Sequence, residues 1–141
     1  QLAERPDVAP RLILEITETV ALDDIADSSR FVRSVTELGC RVALDDFGAG
    51  FCNFRYLKIL PIDYLKLDRS MLDGVLEDER DQAVLRAIIA MARALELEVL
   101  VEGVEEEAQR DLMRDIGCRY YQGFLRAKPV NAEFFLTLAK V

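Results

Sequence analysis

The 141 residues are 51% hydrophobic and 31% charged with a net charge of −8, a balance that fits one globular domain and excludes a disordered chain. The negative charge argues against a basic face for nucleic-acid polymers, and no apolar run approaches membrane length, the run from Ala87 ending at Arg93. There is no histidine, which removes His-based triads and most catalytic zinc sites and leaves oxygen ligands, hence Mg²⁺, Mn²⁺ or Ca²⁺, for any metal.

Residues 1–10 are polar with two prolines and read as a linker or frayed start, ahead of one domain over 11–141. The segment 11–17 alternates like a strand, and 22–38 has helical periodicity in Ile25, Phe31, Val32, Val35 and Leu38, with Gly39 as its stop. The apolar run Val42-Ala-Leu44 predicts a buried strand that ends in Asp45 and Asp46 and breaks at Gly48-Ala-Gly50. A short helix near 53–59 closes at Pro61, and 62–68 is the next strand. The longest helix is expected over 77–95, with Val84, Leu85, Ile88, Ile89, Ala92 and Leu95 as its buried stripe. A strand over 98–103 is followed by a helix over 105–116, whose three leading glutamates suit the positive helix N-terminus. The spacing then predicts a strand over 119–123, an extended piece over 124–128, and a last helix capped by Asn131 with Val130 and Phe135 as a hydrophobic staple.

Cys40, Cys52 and Cys118 are odd in number and lack Cys-x-x-Cys spacing, so free thiols in a reducing cytoplasm are expected. No signal-peptide pattern is present, no membrane contact is expected from this segment, and a first residue of Gln suggests a piece of a longer protein.

Strand and helix alternate about five times, which implies parallel pairing through right-handed crossovers. An open doubly wound sheet and a (β/α)₈ barrel both fit. A complete barrel takes about 250 residues, so this chain would hold the last two-thirds of one.

Strand parity places Glu15, Asp45, Lys66, Glu102 and Gln122 near the carboxyl ends of five different strands, on the face shared with Ile13, Ala43, Tyr64, Leu100 and Tyr120. That end of the strands is where α/β folds place their chemistry. Each residue has a plainer reading. Asp45 and Asp46 fit a turn or a cap, Lys66 can snorkel to water, Gln122 can satisfy loop backbone, and Glu18 can cap the following helix. Together, several carboxylates around one ammonium require metal ions or tight pairing.

The runs Glu15-Ile-Thr-Glu18, Asp45-Asp-Phe-Gly-Ala-Gly50, Lys66-Leu-Asp-Arg-Ser-Met71, Glu102-Gly-Val-Glu105 and Gln122-Gly-Phe-Leu125 with Lys128-Pro129 resemble, in order and spacing, the signatures of the EAL-domain family. These are bacterial phosphodiesterases that hydrolyse cyclic di-GMP, and the resemblance runs from about residue 11 to the end. It implies a TIM-like (β/α)₈ barrel, partial here, with one antiparallel strand and two Mg²⁺ or Mn²⁺ ions at the strand ends, Ca²⁺ being an inhibitor or substitute. It assigns Glu15 and Asp45 to the first metal and Asp45 and Asp46 to the second. Glu102 would hold or deprotonate the attacking water, directly or as a metal ligand. Lys66 would contact that water or the scissile phosphate, and Gln122 would orient the cluster. Either Glu102 or Lys66 can be the base. Glu18 would support the loop after Asp46.

The resemblance also implies cyclic di-GMP as substrate, linear pGpG as product, a possible homodimer, and sensory or GGDEF domains upstream. The family's Glu-Ala-Leu tripeptide and the Asn of its next strand, both metal ligands, would lie ahead of Gln1, so the chain alone is expected to be nearly inactive. A catalytically inactive cyclic di-GMP receptor or partner-binding module is the alternative. Ala49 and Cys52-Asn53 replace the family's usual Thr and Ser-Ser, and modest loosening of that loop is expected.

Overall fold

A strand covered on both faces must be apolar along its length, and β2 (Arg41–Phe47) meets that condition with Val42, Ala43, Leu44 and Phe47 all buried. The computed structural model describes residues 4, 6–50, 54 and 56–138, without the side chain of Leu138. Around β2 lie β1 (Ile13–Thr17), β3 (Tyr64–Leu67), β4 (Glu98–Val101) and β5 (Tyr120–Tyr121). All pairings are parallel and the spatial order is β1-β2-β3-β4-β5. A doubly wound sheet reverses its strand order at a switch point. This one advances in a single direction, as a barrel wall does.

The crossovers are α1 (Glu18–Asp23) and α2 (Ile25–Glu37) after β1, α3 (Glu79–Ala94) after β3, and α4 (Glu107–Asp115) after β4, with α5 (Ala132–Leu138) following β5. Val32 and Val35 of α2, Leu85, Ile88, Ile89 and Ala92 of α3, and Met113 of α4 join Val42, Leu44, Leu65, Leu67, Val99 and Val101 in one core between helices and sheet. Asp63 ties the amino ends of three strands together. Its carboxylate accepts from the Val42 amide at 2.8 Å, its own amide donates to Val42 O at 2.8 Å, and its carbonyl accepts from the Glu98 amide at 3.0 Å.

Several local expectations need correction. The single helix over 22–38 is two helices, because Thr17 caps α1 through the Val20 amide and Asp24 breaks the run and caps α2 through the Asp27 amide. Glu18 is therefore the first residue of α1 rather than a cap for a helix near 22. Phe31, Leu38 and Val84 are 48%, 40% and 51% exposed. Phe31 and Val84 sit one residue, about 100° of helix, from the buried stripe. The segment 53–59 is described from Tyr56 as a 3-10 turn, Tyr56–Lys58; Cys52 and Asn53 lie outside the described residues. No strand forms over 124–128, since the Arg126 amide turns back to Gly123 O at 3.2 Å. Asn131 caps α5 as expected, its side chain accepting from the Phe134 amide at 2.9 Å, while Val130 and Phe135 are both exposed. Among the described residues no helix is long and apolar enough to cross a membrane.

Candidate active site

Residues two apart on a strand share a face, and the parallel register sets Glu15 beside Ala43, Ala43 beside Tyr64, and Lys66 beside Leu100. Ile13, Arg41, Ala43, Tyr64, Leu100 and Tyr120 accordingly line one trough of about 360 Å³ with Glu15 and Lys66. Lys66 stands at the centre of its carboxyl rim, 6% exposed. Its Nζ lies 3.0 Å from Glu15 Oε2, 2.8 Å from Asp45 Oδ1 and 2.9 Å from Glu102 Oε1. Burial by itself lowers the pKa of this ammonium, but hydrogen bonds to Asp45, Glu102 and Glu15 outweigh it and hold the pKa well above the usual lysine range. Lys66 is thus a charged donor in this arrangement.

Adjacent strand residues ordinarily point to opposite faces, yet Asp45 and Asp46 serve the same end of the sheet. The reason is a bulge. From Leu44 to Phe47 β2 advances three residues while its partner advances two, from Leu65 to Leu67. Asp46 absorbs the extra residue in the left-handed region with φ +59°, and its amide donates to Asp45 Oδ1 at 3.0 Å. Carboxylate oxygens of Asp45, Asp46 and Glu102 consequently lie within 4.8 Å of one another. The next residue, Phe47, is restored to the helix-facing core.

Glu102 follows β4, positioned by its amide donating to Leu67 O at 3.0 Å. Gln122 follows β5; its amide donates to Val101 O at 2.8 Å and its carbonyl accepts from the Val104 amide at 3.0 Å. Gln122 is exposed and lines, with Glu102, Asp68 and Phe124, a cleft beside the Lys66 cluster. Glu18 is buried and lines a separate hollow with Asp46, Ala49 and Gly50. The structure therefore gathers Glu15, Asp45, Lys66 and Glu102 in direct contact, sets Asp46 within reach of Asp45 and Glu102, and leaves Gln122 and Glu18 at the flanks.

Two features were missed from sequence. Arg41 donates to the Tyr64 hydroxyl and lies 5.3 Å over its ring at the base of the trough; its parity with Ala43 and Asp45 would have found it. Asp68 caps the turn after β3 by accepting from the Ser70 amide at 2.9 Å, a role visible in the Asp-x-Ser spacing.

The profile of the EAL domain matches residues 1–129. The chain belongs to the EAL domain family. The bifunctional diguanylate cyclase/cyclic di-GMP phosphodiesterase MucR of Pseudomonas aeruginosa is 40% identical over 125 residues, covering 89% of this EAL chain and 18% of MucR. The cyclic di-GMP complex of MucR phosphodiesterase superposes with a TM-score of 0.83 at 38% identity, over 90% of this chain and 51% of that one. The EAL domain of Mycobacterium smegmatis DcpA gives 0.84 at 40% identity, over 91% and 58%. The manganese and cyclic di-GMP complex of Klebsiella pneumoniae BlrP1 gives 0.78 at 26% identity, over 83% and 30%. This EAL chain thus spans less than a fifth of MucR and between 30% and 58% of the three solved chains. Its parallel sheet is part of the TIM-like barrel of the family.

The donor set of this EAL chain fits a hard divalent cation. Asp45, Asp46 and Glu102 offer three carboxylates at one point, and Glu15 joins Asp45 through Lys66. All-oxygen ligation of this kind suits Mg²⁺ or Mn²⁺ and excludes a thiolate or imidazole centre.

Proposed function

We propose that the chain is the substrate-hydrolysing portion of a cyclic di-GMP phosphodiesterase, which opens the cyclic dinucleotide to linear pGpG. The single observation that carries this reading is the convergence of four carboxylates, Glu15, Asp45, Asp46 and Glu102, and the ammonium of Lys66 from four separate strand ends. The cyclic di-GMP complex of MucR phosphodiesterase supports the substrate, and the manganese complex of BlrP1 supports the metal.

Asp45, Asp46, Glu102 and Glu15 would hold two Mg²⁺ or Mn²⁺ ions. When bound, such a pair supplies Lewis-acid stabilisation of charge on the attacking and leaving oxygens of an in-line displacement. Glu102, the carboxylate that borders both the cluster and the cleft, accepts the proton of the attacking water. Lys66, centred on Glu15, Asp45 and Glu102, contacts the attacking water or the scissile phosphate. Gln122, at the rim beside Glu102, orients the water or phosphate by hydrogen bonding. Glu18, buried against the hollow behind Asp46, supports the loop that follows it. The greater length of MucR supports further domains beside this one in the intact protein.

The test is turnover of cyclic di-GMP by the intact protein, read by chromatography of pGpG, with Mg²⁺, Mn²⁺ or Ca²⁺ supplied in turn. Hydrolysis with Mg²⁺ or Mn²⁺, its loss on Asp45→Ala and weak or absent activity with Ca²⁺ are expected. Tight binding of cyclic di-GMP without turnover in any metal would overturn the enzyme reading in favour of a receptor.

A further inference from the structure

We infer that Met71 is a positioning residue whose thioether, carried on the short turn after β3, braces the Asp45–Asp46 bulge against Glu102. The inference rests on the metal-dependent reading above and concerns what holds its carboxylates at their spacing.

The 3-10 turn Arg69–Leu72 leaves the carboxyl end of β3 between the two loops that carry the acidic residues. The turn is anchored at both ends. Asp68 accepts from the Ser70 amide through its side chain at 2.9 Å and from the Met71 amide through its carbonyl at 3.0 Å, and Leu72 is buried in the core. Backbone bonds tie the same place to both neighbours, with the Asp68 amide on Phe47 O at 3.0 Å and the Glu102 amide on Leu67 O at 3.0 Å.

Each neighbouring loop presents a glycine to this turn. A Cβ built on Gly48 would fall 2.6 Å from Met71 Sδ and 2.8 Å from Met71 Cγ, so the thioether fills the space where a side chain would be. A Cβ built on Gly103 would fall 2.4 Å from Arg69 Cβ and 3.3 Å from Arg69 Cα. Both glycines hold positive φ, +104° and +74°, a backbone shape that other residues resist. Gly48 lies two residues after Asp46, and Gly103 directly follows Glu102. One anchored turn therefore presses on both loops, and its width limits how closely Asp46 and Glu102 approach. On the Gly48 side that width is Met71's side chain. On the Gly103 side it is backbone and Cβ, which any residue at 69 other than glycine would supply. Removing the thioether leaves a void into which the Gly48 turn can sag, changing the Asp46–Glu102 spacing without touching a ligand.

The test compares Met71→Ala and Met71→Leu with the wild type in the intact protein. Mn²⁺ alone is titrated and free Mn²⁺ followed by electron paramagnetic resonance, and the melting temperature is taken in EDTA. Met71→Ala is expected to weaken Mn²⁺ binding about tenfold, as loss of residues that orient metal ligands does, while staying folded. Met71→Leu, which conserves volume, is expected to restore it. Should Met71→Ala fail to fold, Met71→Val, which also removes the tip of the side chain, takes its place in the comparison. Wild-type affinity in the truncated variants would overturn the inference and leave the metal reading intact. So would a Leu variant as weak as the Ala variant. A wild type that binds no Mn²⁺ would overturn the metal reading first and this inference with it.

Discussion

Lys66 Nζ lies 2.8 Å from Asp45 Oδ1, and the same ammonium also reaches Glu15 and Glu102. Three carboxylates, Glu15, Asp45 and Glu102, thus share one cation, with the Asp46 carboxylate beside Asp45 and Glu102. Lys66→Met leaves them uncompensated. The carboxylates are partly exposed, so the cost falls below the full penalty of a broken buried pair, at about 2 kcal/mol. Urea unfolding in EDTA checks this, and added Mn²⁺ should narrow the gap to wild type, because the cation replaces the missing charge. Equal stability in EDTA would remove Lys66 as the counter-ion.

Asp46 combines a left-handed backbone, φ +59°, with a carboxylate facing two others. The left-handed conformation costs a residue with a Cβ about 1–2 kcal/mol, less for Asp or Asn. Asp46→Gly is therefore expected to raise thermal stability in EDTA by up to about 1 kcal/mol while weakening Mn²⁺ binding. Asp46→Val lowers both. If stability and affinity moved together in the glycine variant, the bulge would not be a strained ligand position.

Gly123 abuts backbone, not a movable side chain. A Cβ there would lie 2.0 Å from Val104 O and 2.4 Å from Val104 N, and both of those atoms are engaged, by Leu125 N at 3.1 Å and Gln122 O at 3.0 Å. No rotamer relieves such an overlap, so Gly123→Ala must break the 104–122 stitch, at a cost of about 3 kcal/mol. Melting temperature and hydrogen exchange at the Val104 and Leu125 amides report it. A variant that melts with the wild type would show that the two loops are free to separate.

Hydrogen bonds from Ser70, side chain first and then backbone, lower the Asp68 pKa against a smaller opposing effect of burial. A carboxylate depressed in the folded state stabilises fully above its unfolded pKa of about 4, and that contribution is lost as pH falls through the folded value. Wild type should therefore lose stability faster than Asp68→Asn on acidification below about pH 4. Urea midpoints taken from neutral to strongly acid pH measure the difference. Parallel curves would mean that the cap carries no charge-dependent stability.

Periodicity found the long elements because burial imposes it. Leu85, Ile88, Ile89 and Ala92 recur at helical spacing since one face of α3 meets the sheet. Ile13, Ala43, Tyr64, Leu100 and Tyr120 read correctly as one surface because strand parity is a property of the chain alone. Short-range competition was less legible. Asp24 looked like one polar residue within a continuous helix, and only its bond to Asp27 shows that it ends one helix and begins another. Residues 124–128 read as extended, whereas the bond from Arg126 to Gly123 curls their first three residues into a turn.

By itself the sequence determined which side chains stand at strand ends, and that the strands are parallel and bear an acidic face, since alternation, apolar runs and charge are local properties. The tertiary structure decided that the strands advance in one direction like a barrel wall, and that Lys66 draws Glu15, Asp45 and Glu102 into one cluster. It also decided that a bulge turns Asp46 back toward Asp45. Those outcomes depend on register and on one extra residue in β2, and a pairing between strands has no existence until the strands meet.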